Sequence, residues 1–197
     1  MNEFREARRG LSLDLDAIID SLPTGASIKG MFALSTLDRA KDRKRAQDES
    51  GLGAMRIQPF SDVPYGPYLR LVFAIAEQLH PRLPRAEALR LFHHSYYETL
   101  SKSMVGRVMF GVLGKETNRV MLMGQRGYEV SVRFAGVTAE SESSGHIRYL
   151  FSNYSSAIME SCDVGVVEGA LAFCGESAPT VRVRIDGPLR GAIDARW

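Results

Sequence analysis

Apolar positions along this chain keep two periods. Up to Gly114 they recur every three or four residues; beyond it they alternate. "LSLDLDAIIDSLP" puts Leu15, Ile18, Ile19 and Leu22 at helical spacing, and Pro23 follows as a stop. Ile28, Met31, Phe32, Leu34 and Leu37 continue the pattern into a charged tail. They predict a helix that ends before the "GLG" at Gly51 to Gly53. The clearest helix lies in "FSDVPYGPYLRLVFAIAEQLHPRLP", where Leu69, Val72, Phe73, Ala76 and Leu79 form the stripe. Pro67 sits near its start and Pro81 ends it. Pro84 opens a second long helix, "PRAEALRLFHHSYYETLSKS", with Glu87 where the helix dipole favours an acid. A short amphipathic piece, "MVGRVMFGVLG", follows.

Strand spacing then takes over. In "YEVSVRFAGVTAE", Val130, Val132 and Phe134 alternate with Glu129, Ser131 and Arg133. "HIRYLFSN" sets Ile147, Tyr149 and Phe151 against Arg148, Leu150 and Ser152, and "SESSG" is the turn between the two strands. "SCDVGVVEGALAFCG" predicts a helix with Asp163 as N-cap and Gly175 as its stop. "TVRVRID" and "GAIDARW" alternate again. The expected class is α+β: N-terminal helices packed on a C-terminal antiparallel sheet, ordered strand, strand, helix, strand, strand. The expected division is an N-terminal helix and linker over 1–27 and one α+β domain over 28–197. Its helical part is 28–114 and its sheet part 115–197.

Composition narrows the function classes. The chain has 197 residues, 45% hydrophobic and 24% charged, enough to bury one sizeable core. A net charge of +2 does not imply a nucleic-acid partner. The dense basic run Arg39 to Glu49 is interleaved with acids and predicts a solvated helix face. Cys162 and Cys174 form no disulfide framework, the charged "MNEFREARRG" is no secretory signal, and no apolar run is long enough to span a bilayer. A cytoplasmic protein without membrane insertion is expected.

The chemistry-bearing residues are few. His93 and His94 point about 100° apart on a helix, so the pair cannot chelate one metal ion. His93 shares the stripe of Phe92 and Tyr96; His94 shares a face with Arg90 and Glu98. There is no nucleophile elbow, P-loop or dinucleotide fingerprint. Asp14 and Asp16 are explained by capping, and Glu168 and Cys174 fall on different helix faces. No catalytic and no metal-binding residues are predicted. His93, Tyr96, Tyr97, Tyr128 and Tyr149 are the candidates to line a ligand cavity, because aromatics with one polar atom suit a mostly apolar pocket.

Two resemblances add to this. "YGPYLRLVFAIAEQLHPRLPRAEALRLFHHSYYETLSKSMVGRVMF", together with "IKGMF", "VSVRF" and the final Trp, resembles a paralogous family of unknown function known mainly from myxobacteria. That family usually has a small and a basic residue where His93 and His94 stand, so the resemblance does not imply the pair. The helix-then-strand layout, with "SCDVGVVEGAL" before two strands, is similar to the haem-nitric-oxide-binding fold and to its vinyl-4-reductase and transport-particle relatives. Haem members carry a proximal histidine before the sheet and a Tyr-x-Ser-x-Arg clamp. "VMLMGQRGYEV" and "YLFSNYSSA" lack them, so no cofactor is expected and haem is disfavoured. The expected function is a non-enzymatic sensor or regulatory module that binds a small apolar ligand or a protein partner. The alternatives are a scaffolding homodimer and an enzyme that uses His93.

Overall fold

The structure is a computed structural model and describes residues 3–102 and 104–197. Met1, Asn2 and Ser103 lie outside the described residues, and with them the first positions of "MNEFREARRG" and the end of "YYETLSKS". Helices dominate the first part: α1 (Leu15–Asp20), α2 (Gly30–Leu37), α3 (Arg43–Glu49), α4 (Tyr65–Leu79), α5 (Arg85–His94), α6 (Tyr96–Lys102), α7 (Met104–Leu113) and α8 (Thr117–Ser131). Two short strands, β1 (Ser27–Lys29) and β2 (Asp62–Pro64), pair antiparallel among them. Then come β3 (Gly136–Ser143), β4 (His146–Ser152), α9 (Ser156–Ile158), a π-helical turn (Met159–Asp163), α10 (Val164–Cys174), β5 (Thr180–Gly187) and β6 (Arg190–Arg196).

The sheet runs β3-β4-β6-β5, antiparallel throughout. Tyr149 faces Ile193, and Ile193 faces Val183, so the apolar positions of three strands share one side. Ile147, Tyr149, Phe151, Val183, Ile193 and Ala195 are all buried against the helices. The expected α+β layout is the one found. Asp14 accepts a hydrogen bond from the Ala17 amide and starts α1. α4 ends at His80, just before Pro81. Gly175 closes α10 with φ 95°, a left-handed conformation that favours glycine.

Several elements differ from their sequence reading. The single helix expected over 28–50 is split: Ile28 pairs in β1, and Asp42 caps a separate α3 by accepting from the Arg45 amide. α3 is the solvated face expected of the basic run, laced by Lys44–Asp48 and Arg45–Glu49 pairs. The second long helix breaks at Ser95, whose hydroxyl turns back to the Phe92 carbonyl. The largest correction falls on "YEVSVRF". It is the end of α8 and its exit, not a strand, although the sheet part was expected to begin at 115. Glu116 caps α8 by accepting from the Asn118 and Arg119 amides, and the helix then carries through to Ser131. Val130 is exposed while Val132 is buried, so their alternation marks no common face. The strand that pairs with β4 begins later, at Gly136, and is mostly polar, as suits a sheet edge.

α10 crosses α5 at very short range. A Cβ on Gly165 would lie 2.3 Å from the Arg90 carbonyl oxygen, and one on Gly169 would lie 1.9 Å from that of His94. The same helix pair is tied by the Arg90–Glu168 ion pair. This crossing seats the π-turn that precedes α10 against the centre of the core.

Candidate functional site

Five aromatic rings meet where α4, α8 and β4 converge. α4 supplies Tyr65, α8 supplies Tyr128 and its exit supplies Phe134. β4 supplies Phe151, and the loop after it supplies Tyr154. Tyr65 lies 4.7 Å from Phe134 between ring centres, Phe134 stacks on Tyr154 at 6.1 Å, and Tyr128 meets Phe151 and Tyr154 edge-on at 5.9 Å. The Tyr65 and Tyr154 hydroxyls are 3.2 Å apart.

Asp163, the last residue of the π-turn, enters this cluster. It is 5% exposed. The Tyr128 hydroxyl donates to its Oδ1 at 2.5 Å, while Oδ2 has no hydrogen-bond partner of normal geometry. Burial raises its carboxyl to about 7, although the Tyr128 and Tyr154 hydroxyls pull the other way. The phenols of Tyr65, Tyr128 and Tyr154 are pushed well above their ordinary value, also by burial. A π-turn inserts an extra residue into a helix and is frequent at functional sites. Here it brings the carboxylate into the core, where the sequence reading placed only a helix cap; Asp163 makes no capping bond.

A cleft of about 350 Å³ opens beside the cluster. It is lined by Ser21, Leu22, Pro23, Phe134, Asn153, Ser155 and Leu189. Phe134 is thus a wall of the cleft on one side and a partner of Tyr65 and Tyr154 on the other. Asn153 holds φ 54°, uncommon for a residue with a side chain.

The five residues proposed from sequence fall into separate groups. Tyr128 belongs to the cluster. Tyr149 is on the same sheet face, but its hydroxyl donates to the Met121 carbonyl of α8. His93 is half-buried; its Nδ1 lies 2.9 Å from the Leu89 carbonyl oxygen, and burial lowers the ring to about 4. Tyr96 stacks on Phe32, and Tyr97 packs against Phe110 and Phe173. Asp163, Tyr65 and Tyr154 escaped the sequence reading. A signal was present: Glu160 and Asp163 sit three apart in the mostly apolar "AIMESCDVGVV", where a solvated helix would show a longer polar face. Among the described residues no group of three or more His, Cys, Asp or Glu is arranged to hold a metal ion, and no helix is long and apolar enough to cross a membrane.

A family model described as "Protein of unknown function (DUF2378)" matches residues 23–197. The chain belongs to that family. No curated protein matches it in sequence. Solved H-NOX proteins match in structure. An H-NOX mutant from K. algicida, in the unliganded Fe(II) state, superposes with a TM-score of 0.59 at 10% identity, over 86% of this chain and 96% of that one. An H-NOX protein from S. oneidensis, in the Fe(II)NO state, gives 0.60 at 10% over 86% and 98%. A protein solved in work on haem redox potential and porphyrin distortion gives 0.61 at 14% over 86% and 100%. At these identities the likeness establishes the H-NOX fold.

The expectation of no cofactor, with haem disfavoured, is corrected here. The fold is shared with proteins that carry haem iron, and short motifs missing from a chain 10–14% identical to them are no ground for setting haem aside.

Proposed function

We propose that this chain is a sensor or regulatory module that takes a small ligand at the tyrosine-ringed Asp163, with the cleft behind Phe134 as the entry. The observation that carries this reading is the unpaired Oδ2 of a buried carboxylate. Such an atom costs free energy unless a hydrogen-bond partner reaches it. The surrounding rings give a ligand an apolar body to lie against, and a cleft of about 350 Å³ suits a small molecule. The π-turn supports a sensing role, because one helical register can give way to another when the carboxylate acquires a partner.

Haem belongs among the ligands to be tried, since the structural neighbours carry haem iron. His93 has the donor chemistry: with Nδ1 on the Leu89 carbonyl, Nε2 keeps the lone pair a metal requires. The aromatic layer between α4, α8 and the sheet is in ring-to-ring contact and would have to part for a porphyrin. When bound, haem would supply an iron able to take a diatomic gas.

Native mass spectrometry of the purified protein, followed by thermal-shift screening of small donors and of haem, tests the reading. A retained or stabilising ligand whose effect vanishes in Asp163→Asn is expected. Ligands that stabilise parent and variant equally would move the site elsewhere. A haem absorption band that appears on titration and is lost in His93→Ala would put the ligand at His93 instead.

A further inference from the structure

The N-terminal segment is held like a docked peptide. Between Glu3 and Gly10 it forms no helix or named strand. Arg5 nevertheless exchanges both backbone hydrogen bonds with Val183 of β5, the outer strand of the sheet, at 2.9 and 2.7 Å. Neighbouring residues of an extended chain turn to opposite sides. Phe4 lies between the guanidinium groups of Arg148 and Arg184, 5.2 and 5.0 Å from its ring centre. Arg5 grips Glu160 through two nitrogens, and Arg8 adds its backbone amide at 2.7 Å and its own guanidinium at 2.9 Å.

The segment satisfies Glu160 on both oxygens but leaves one donor of the dock unpaired. The Glu160 side chain is 1% exposed, whereas those of Arg5 and Arg8 are 40% and 57% exposed. A carboxylate this deep needs cationic partners, so the site selects arginine. Arg148 Nε is buried with no acceptor, so an occupant that offered a carbonyl there would satisfy a donor the segment leaves unpaired. The dock residues Arg148, Glu160, Val183 and Arg184 lie inside the family match, and the segment lies outside it.

We propose that the β5 edge, with Glu160, Arg148 and Arg184, is a docking site for an extended peptide of another protein. That peptide carries an aromatic residue, an arginine directly after it and a second arginine three further on. Residues 3–10 hold the site in cis until such a peptide displaces them. Strand addition at the edge supplies the backbone bonds, and the Glu160 and Arg148/Arg184 subsites supply the specificity.

A labelled peptide of sequence EFREARRG, followed by fluorescence anisotropy, tests this on the full chain. It should bind the Arg5→Ala/Arg8→Ala protein at least ten-fold more tightly than the parent, where the cis segment competes. The same peptide with alanine in place of both motif arginines, EFAEAARG, should not bind, and adding Glu160→Gln to the double variant should weaken binding of EFREARRG at least ten-fold. Phe4→Ala, which keeps both ion pairs, serves as the loosened protein if the double variant lacks a cooperative melt. Absence of saturable binding to the loosened protein, or binding indifferent to Glu160, overturns the site. A concentration-dependent dimer in sedimentation, abolished by Arg5→Ala/Arg8→Ala, would make a second copy's segment the occupant and overturn the foreign peptide.

Discussion

Tyr128 donates its hydroxyl to Oδ1 of Asp163 at 2.5 Å, joining α8 to the π-turn inside the core. Asp163 Oδ2 has no such partner, so this bond is the main satisfaction the carboxylate receives. Tyr128→Phe strands a second buried oxygen. It should destabilise the protein by about 1–3 kcal/mol. Denaturant unfolding checks it, and an unchanged midpoint would mean that water or Tyr154 already serves Oδ1.

Asp163 and His93 should write opposite slopes on the pH dependence of stability. Asp163 titrates near 7 when folded and near 4 when unfolded, so the folded state holds the extra proton and stability falls as pH rises between them. His93 titrates near 4 when folded and about 6.5 when unfolded, so the unfolded state holds the extra proton and stability rises over that interval. Each effect is at most a few kcal/mol, at about 1.4 kcal/mol per pKa unit. The parent should be nearly flat from about pH 4.5 to 6.5. Asp163→Asn should uncover the rise and His93→Ala the fall. Unfolding of the three proteins at several pH values decides it; parallel profiles would remove both residues as the source.

The α10–α5 crossing can be probed at one atom. Gly169→Ala drives a methyl into the His94 carbonyl, 1.9 Å away, and should cost about 1–3 kcal/mol or more. Gly127→Ala, exposed in α8 with nothing within 4 Å, should stabilise by about 0.5–1 kcal/mol. Thermal melts of the two variants should move in opposite directions.

The two adjacent histidines should also separate. His93→Ala removes an edge contact with Phe92 and the hydrogen bond to Leu89, and should cost about 1–3 kcal/mol. His94 is exposed, and its replacement by alanine should change stability by no more than about 0.5 kcal/mol. Equal losses would show that the α5 face is not as described.

Local pattern was enough for the elements whose period and stops agree. α4 is legible in its stripe and in Pro81, α10 in its apolar run and Gly175, and β4, β5 and β6 in their alternation. The order of these elements determined the α+β class. The sequence reading also named Tyr128, but as one of five candidates with no means of choosing among them.

Tertiary structure decided the rest, because the deciding partners are remote in sequence. "YEVSVRF" is helix and exit rather than strand because α8 is capped at Glu116 and crossed at Gly124 by Tyr149, whose hydroxyl reaches the Met121 carbonyl. Asp163 is a buried carboxylate rather than a cap because the π-turn rotates it toward Tyr128, 35 residues away. Glu160 is paired because Arg5 reaches it across 155 residues. A hydrophobic period records which face of a segment is buried; it carries no record of what that face is buried against.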